Sequence, residues 1–141
     1  MLILIILLGI VLQLVAVRSQ LVAVKEQLNL QQFFEHEKRY LEIFQRLPED
    51  VYEPNFQMDG RDDYNVTMRA MRTYFELCFE LWCLNDRKFI DADTWKMWQD
   101  RIETAFSKAA FRQAWRKIGK DTGYETKFDT FISALIFQQG G

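Results

Sequence analysis

An unbroken apolar run at the amino terminus constrains this chain more than any other feature. Residues 1–17 contain 15 apolar residues, Gly9, Gln13 and no charged side chain. A helix over residues 2–17 rises about 24 Å, and apolar residues resume after Arg18. A helix over residues 1–24 therefore matches the roughly 30 Å hydrocarbon core of a bilayer, provided that the Arg18 side chain extends to the headgroups.

A retained anchor and a cleaved signal peptide both begin with such a run. A signal peptide carries basic residues before its apolar core, and no basic side chain precedes this one. The sequence therefore favours a retained, single-pass anchor. Basic residues follow it at Arg18, Lys25, Lys38 and Arg39. Because cytoplasmic flanks are rich in Lys and Arg, we expect an inner-membrane protein with its amino terminus outside and its body in the cytoplasm.

The remaining sequence has the periodicity of helices and no clean alternation typical of strands. We predict an all-α fold, in which the transmembrane helix continues into a helical stalk and is followed by a bundle of four or five helices. Predicted segments are a transmembrane anchor (1–24), a stalk (25–47), an acidic linker or loop with a net charge of −5 (48–63) and a helical cytoplasmic domain (64–141).

Local signals place the helix ends within the predicted domain. Asp91 and Ser107 are predicted to cap the starts of two helices, because short polar side chains accept hydrogen bonds from free amide groups there. Gly119 is predicted to end the second of these helices, and Thr122 and Gly123 to form a turn. His36, the single histidine, is expected to be a surface or stalk residue.

Two features of the anchor and stalk suggest helix–helix contacts. Gln13 is the one polar side chain inside the predicted span, and an amide in hydrocarbon favours a partner on another helix. Apolar residues with the 3–4 spacing of a coiled-coil seam continue from the span into the stalk. They are Leu14, Val17, Leu21, Val24 and Leu28. Two interpretations stay open: the stalk packs on its own domain, or it associates with another copy or a partner.

A basic segment lies near the end of the chain. Residues 108–120 contain five basic residues and no acidic one. They are Lys108, Arg112, Arg116, Lys117 and Lys120. This face is open to three interpretations: it is solvated, it contacts the acidic segment 48–63, or it binds anionic lipid or a partner.

No pattern in the sequence points to catalysis. One histidine cannot supply a His-rich metal site, and neither Cys78 nor Cys83 has a marked catalytic mate. Glycine-rich phosphate loops are lacking, and a net charge of −2 argues against general nucleic-acid binding. We therefore expect no enzymatic activity, no cofactor, no metal and no nucleic-acid partner.

Several aromatic packing motifs resemble a bacterial family of small proteins with one transmembrane helix and a helical cytosolic domain of unknown function. A turn at residues 85–91 precedes a Trp-bearing helix at residues 95–106. Phe111 and Trp115 form a spaced pair, and Tyr124 and Phe128 another. The likeness covers residues 66–135 and the anchor, and it implies a membrane-anchored helical module without catalytic residues.

These observations favour a non-enzymatic accessory or structural subunit, or a protein–protein interaction module, of a larger membrane complex. Its expected partners are an integral-membrane protein or further copies of the chain, with anionic lipid as a further candidate. The alternative is a membrane-anchored signalling or stress-response effector whose basic face senses lipid or phosphate.

Overall fold

The structure, a computed structural model, describes residues 1–121, 123–124 and 126–140. Five α-helices follow one another: α1 (Leu2–Gln45), α2 (Tyr64–Asp86), α3 (Ala92–Phe106), α4 (Ala109–Ile118) and α5 (Thr126–Gln139). A short 3-10 helix, Glu49–Tyr52, lies between α1 and α2, and the described residues contain no strand. The predicted all-α fold, a long N-terminal helix followed by a small helical bundle, is confirmed.

Two compact units divide the chain inside α1, Met1–Glu37 and Lys38–Gly141. The first unit is a single helix of about 54 Å over residues 2–37. It is long and apolar enough to cross a membrane, and no residue of its most apolar window is buried. A signal sequence would meet the same criterion of length and composition. The predicted segment boundaries at residues 24, 47 and 63 stay predictions.

The core of the second unit is built from aromatic rings. The Phe75 ring lies 5.1 Å from Trp115 and 5.7 Å from Phe106, centroid to centroid, and all three side chains are buried. Further along the bundle, the Phe128 ring of α5 lies 5.2 Å from Phe79 of α2. Edge-to-face and offset ring pairs of this kind add stabilisation to the burial of apolar area. The helical spacing of these residues is therefore a core pattern.

Helix ends follow two of the three predicted signals. Asp91 caps α3, with its carboxylate accepting from the Thr94 amide at 2.8 Å, as expected. Gly119 lies directly after α4, also as expected. The Ser107 cap is wrong, because the Ser107 hydroxyl donates back to the Thr104 carbonyl at 2.5 Å and Lys108 takes the N-cap position. Thr122 of the predicted turn lies outside the described residues.

Residues 48–63 are part of the second unit and pack into it as an ordered loop. Val51, Phe56 and Met58 are buried in the core. The Gln113 side chain of α4 donates to the Phe56 carbonyl at 2.8 Å and accepts from the Met58 amide at 2.9 Å. One amide side chain thus takes the place of a neighbouring strand for this stretch of backbone.

Arg61 organises the acidic residues of the same segment. Its guanidinium makes two hydrogen bonds to the Asp50 carboxylate, at 2.8 and 2.9 Å, and another to Asp63 at 2.8 Å. It also lies 4.6 Å from the centre of the Phe56 ring. Two of the six acidic side chains are therefore paired with the single base of the segment.

His36 lies in α1 and is buried, at 4% exposed, so it is not the surface residue that was one of its two expected placements. Four and seven residues further along α1 lie Tyr40, which is half-buried, and Ile43, which is buried. Positions with this spacing share one face of a helix, whereas Leu41, on another face, is exposed. His36 therefore lies on the same face of α1 as Tyr40 and Ile43.

Candidate functional site

Two of the five predicted basic side chains serve the fold. Lys117 forms an ion pair with Asp59 of the acidic segment, and its ammonium lies 5.5 Å from the Tyr64 ring centre. The hydrogen bond to Asp59 raises the pKa of Lys117. Arg112 donates to the Phe106 carbonyl at 3.0 Å, near the end of α3. Within the described residues, Lys117 is the basic residue of this face that forms the predicted ion pair with the acidic segment.

Arg116 and Lys120 have a different setting. Both side chains are exposed, and both line an open groove of about 640 Å³ between the end of α4 and α5. No ion pair or hydrogen bond is recorded for either within the described part of the chain. Cationic side chains are also favourable at a helix C-terminus, which carries partial negative charge. The groove therefore has two positive charges on one wall.

The apolar part of the groove is formed by Trp115, Ile136 and Phe137. Trp115 is nearly buried, whereas Phe137 is 85% exposed. Gly119 lies beside the Trp115 indole, and a Cβ atom at position 119 would lie 2.9 Å from the Trp115 carbonyl oxygen. Glycine thus allows the indole to lie against the last turn of α4, where it forms part of the groove.

Polar groups of α5 complete the lining. Asp129 and Ser133 lie one turn apart on the helix and both line the groove. The Asp129 Oδ1 atom is out of contact with solvent and has no hydrogen-bond partner among the described residues. An unpaired buried acceptor is energetically unfavourable and gains from a donor group. The groove thus offers two cations, one acceptor and an apolar surface.

This combination of charged, polar and apolar groups has the features of a ligand-binding groove. Ligand sites typically measure about 300–1,000 Å³ and combine an apolar lining with a few polar groups, as this groove does. The strongly shifted groups lie elsewhere: burial raises the pKa of the Cys78 thiol to about 12, and burial with a hydrogen bond to Glu76 raises that of Tyr124. Both shifts hold the groups protonated. No cluster of three or more potential metal ligands occurs among the described residues.

A second cleft, of about 260 Å³, lies in the same unit among Tyr40, Tyr52 and Arg101. The Arg101 guanidinium lies 4.9 Å from the ring centres of both Tyr40 and Trp98. Its positive charge is thus already held against aromatic faces. The cleft is smaller than the groove, and its cation, Arg101, already packs on the Tyr40 and Trp98 rings.

The predicted contact residues of the first unit all face outward within that unit. Gln13 is exposed, and the five apolar seam residues are between 50% and 64% exposed. Those five are Leu14, Val17, Leu21, Val24 and Leu28. Within the described residues of this unit no second helix packs on them, so the predicted association stays a prediction.

Sequence reasoning missed the contribution of α5 to the groove. Asp129, Ser133 and Phe137 recur every four residues and therefore share one helix face. That spacing was a usable signal, because it places two polar residues and an exposed aromatic in line. It was hidden by the stronger apolar stripe on the opposite side, which includes Phe128, Ile132 and Leu135.

Comparisons with known proteins add no relative. No protein-family model matches the chain, and neither a curated protein nor a solved structure matches it. The resemblance to a bacterial membrane-anchored family therefore stays a prediction. The function is therefore inferred from the geometry of each of the two units.

Proposed function

We propose that this chain is a non-enzymatic, single-pass membrane protein whose helical domain is an interaction module or accessory subunit of a larger membrane complex. The observation that carries the proposal is the contrast between the two units. Most apolar side chains of Met1–Glu37 are exposed and none in its most apolar window is buried, whereas residues 38–141 contain a well-packed aromatic core. Exposed apolar side chains on this scale need lipid or protein around them.

The membrane supplies that surrounding for about 20 residues of helix. Lys and Arg residues that follow the span support an inner-membrane location with the amino terminus outside and the domain in the cytoplasm. The seam then continues to the end of the span at Leu21 and Val24 and into the stalk at Leu28, and all three side chains are exposed. A second helix, from a membrane partner or from another copy, would cover these residues.

The paired charged residues of the second unit stabilise its fold, and none of them is assigned to catalysis. In the second unit the ion pairs fasten loop and helices, as Arg61 does with Asp50 and Lys117 with Asp59. Neither cysteine forms a disulfide within the described part of the chain, and Cys78 is buried. We assign no catalytic role to any of these side chains.

Gentle detergent extraction of the tagged full-length chain, followed by sizing and mass spectrometry, tests the proposal. We expect elution in a stoichiometric complex with an integral-membrane protein, or as a homo-oligomer. The variant Gln13→Leu with Leu21→Glu should lose that association. The matched variant Gln13→Leu with Val22→Glu places the same charge at the same depth but on another helix face, and it should keep the association. Unchanged association in the first variant would contradict the proposed contact.

A signalling or stress-response effector that senses lipid or phosphate is the second candidate. The observation in its favour is the placement of Arg116 and Lys120 along one groove, with no recorded ion pair in the described residues. A lone monomer in the extraction experiment would favour this candidate over the accessory subunit.

A further inference from the structure

The groove between α4 and α5 joins two kinds of surface that are otherwise separate on this domain. Arg116 and Lys120 lie on α4 and just after it, and provide positive charge. Ile136 and Phe137 lie on the facing helix α5, and provide apolar area. An occupant that satisfies both must be anionic at one end and apolar at the other.

We propose that this groove binds one anionic phospholipid of the membrane, with the phosphate held by Arg116 and Lys120 and an acyl chain along Ile136 and Phe137. The inference rests on the proposed membrane anchoring, which keeps the domain among lipids. Charge complementarity selects an anionic headgroup, since both basic side chains are exposed and have no recorded acidic partner in the described part of the chain.

Asp129 refines the class of headgroup. Asp129 lines the groove, and its Oδ1 atom is excluded from solvent and has no hydrogen-bond donor among the described residues. A headgroup with hydroxyl groups, such as the glycerol of phosphatidylglycerol, supplies a donor to this carboxylate while its phosphate contacts the cations. A headgroup with neither hydroxyl nor ammonium hydrogens leaves the acceptor unpaired, at an energetic cost.

Phe137 gives the site a position for a probe. Its ring is 85% exposed, so it is free to accept a larger aromatic group without disturbing the core. We would replace it by the photocrosslinker p-benzoylphenylalanine in the full-length chain. The protein would be reconstituted into vesicles of phosphatidylglycerol and phosphatidylcholine, irradiated, and its adducts identified by mass.

We expect a phosphatidylglycerol adduct at position 137, reduced at least about tenfold by Arg116→Glu with Lys120→Glu. This estimate follows from about 1 kcal/mol per basic residue near an anionic lipid surface, or about thirtyfold for two. Arg87→Glu with Lys127→Glu makes the same charge change at two exposed positions outside the groove and should leave the adduct unchanged. The neutral pair Arg116→Gln with Lys120→Gln should give an intermediate yield.

Three results would overturn the inference: equal adducts with both lipids, no effect of the charge reversal, or a peptide adduct, which would mean a protein occupant. An absent adduct at position 137 also overturns it when the same crosslinker at Leu7 labels lipid. Failure at Leu7 as well would instead contradict the proposed anchor. Circular dichroism of each variant checks that the helical domain remains folded.

Discussion

The two units of this chain carry similar apolar residues in opposite surroundings. In Met1–Glu37 most apolar side chains are exposed on a single helix, and in Lys38–Gly141 most are packed against neighbouring helices. Leu7 is 51% exposed, whereas Leu77 is fully buried. Hydrophobicity alone therefore does not distinguish a buried apolar helix face from an exposed one. The two units differ in sequence because the second has aromatic and polar residues interleaved at helical spacing, whereas the first 17 residues are almost entirely aliphatic.

The largest expected difference between the two units is in the free energy of unfolding lost when an apolar side chain is truncated. Phe75→Ala removes a buried side chain that contacts Phe106 and Trp115, and should lower the free energy of unfolding of the domain by about 3–5 kcal/mol. Leu7→Ala removes a comparable apolar group from the first unit, and we expect a change below about 0.5 kcal/mol. Denaturant unfolding in mild detergent, followed by near-ultraviolet circular dichroism, measures both. Equal losses would mean that Leu7 belongs to the folded core.

A medium effect is expected where a single side chain holds the acidic segment. Gln113→Leu keeps the size of the side chain but removes both hydrogen bonds, to the Phe56 carbonyl and the Met58 amide. The two backbone groups lose their partners, which should cost about 1–3 kcal/mol. Gln99→Leu, at a residue bonded to Glu103 on its own helix, is the control and should cost less. Hydrogen exchange at Met58 should increase in the first variant only.

A smaller effect tests the α3 cap. Asp91→Ala removes the acceptor of the Thr94 amide and should destabilise the domain by about 1 kcal/mol, a shift of about 4–8 °C in Tm for a domain of roughly this size. Asp93→Ala, two residues further along, leaves that acceptor in place and serves as the control. An equal Tm loss in both variants would contradict the capping role.

The smallest effect concerns pH. The hydrogen bond from Arg61 lowers the pKa of Asp63, so the stabilisation it provides is present above the unfolded pKa of about 3.9 and is lost as pH falls through the lower folded value. We expect wild type to exceed Asp63→Asn in stability at pH 6, and this difference to vanish well below pH 4. Asp62→Asn, at an exposed neighbouring carboxyl, is the control. A difference that persists at pH 2 would exclude the ionic contribution.

Helices and core were predictable because both depend on local spacing. The stripe through Trp98, Ile102 and Phe106 follows from 3.6 residues per turn, and the Asp91 cap follows from short polar side chains at helix starts. The Ser107 cap failed because a serine at that point has a competing acceptor, the Thr104 carbonyl one turn back.

The groove was only half predictable. Arg116 and Lys120 stood out as members of a basic segment, but sequence could not tell them from Lys117, whose partner Asp59 lies 58 residues away in the chain. Likewise, nothing local pairs Gln113 with residues 56–58. Contacts between distant segments decide which charges are used by the fold and which remain for a ligand.

The central proposal is that residues 1–24 of the first unit cross a membrane and that the second unit lies on its cytoplasmic side. Alkaline carbonate washing of native membranes, followed by protease treatment of spheroplasts, tests it on the full-length chain tagged at its carboxyl terminus. We predict that the protein stays in the membrane pellet and that the tag survives protease until the membrane is opened. Release into the wash, or digestion of the tag in intact spheroplasts, would contradict the claim.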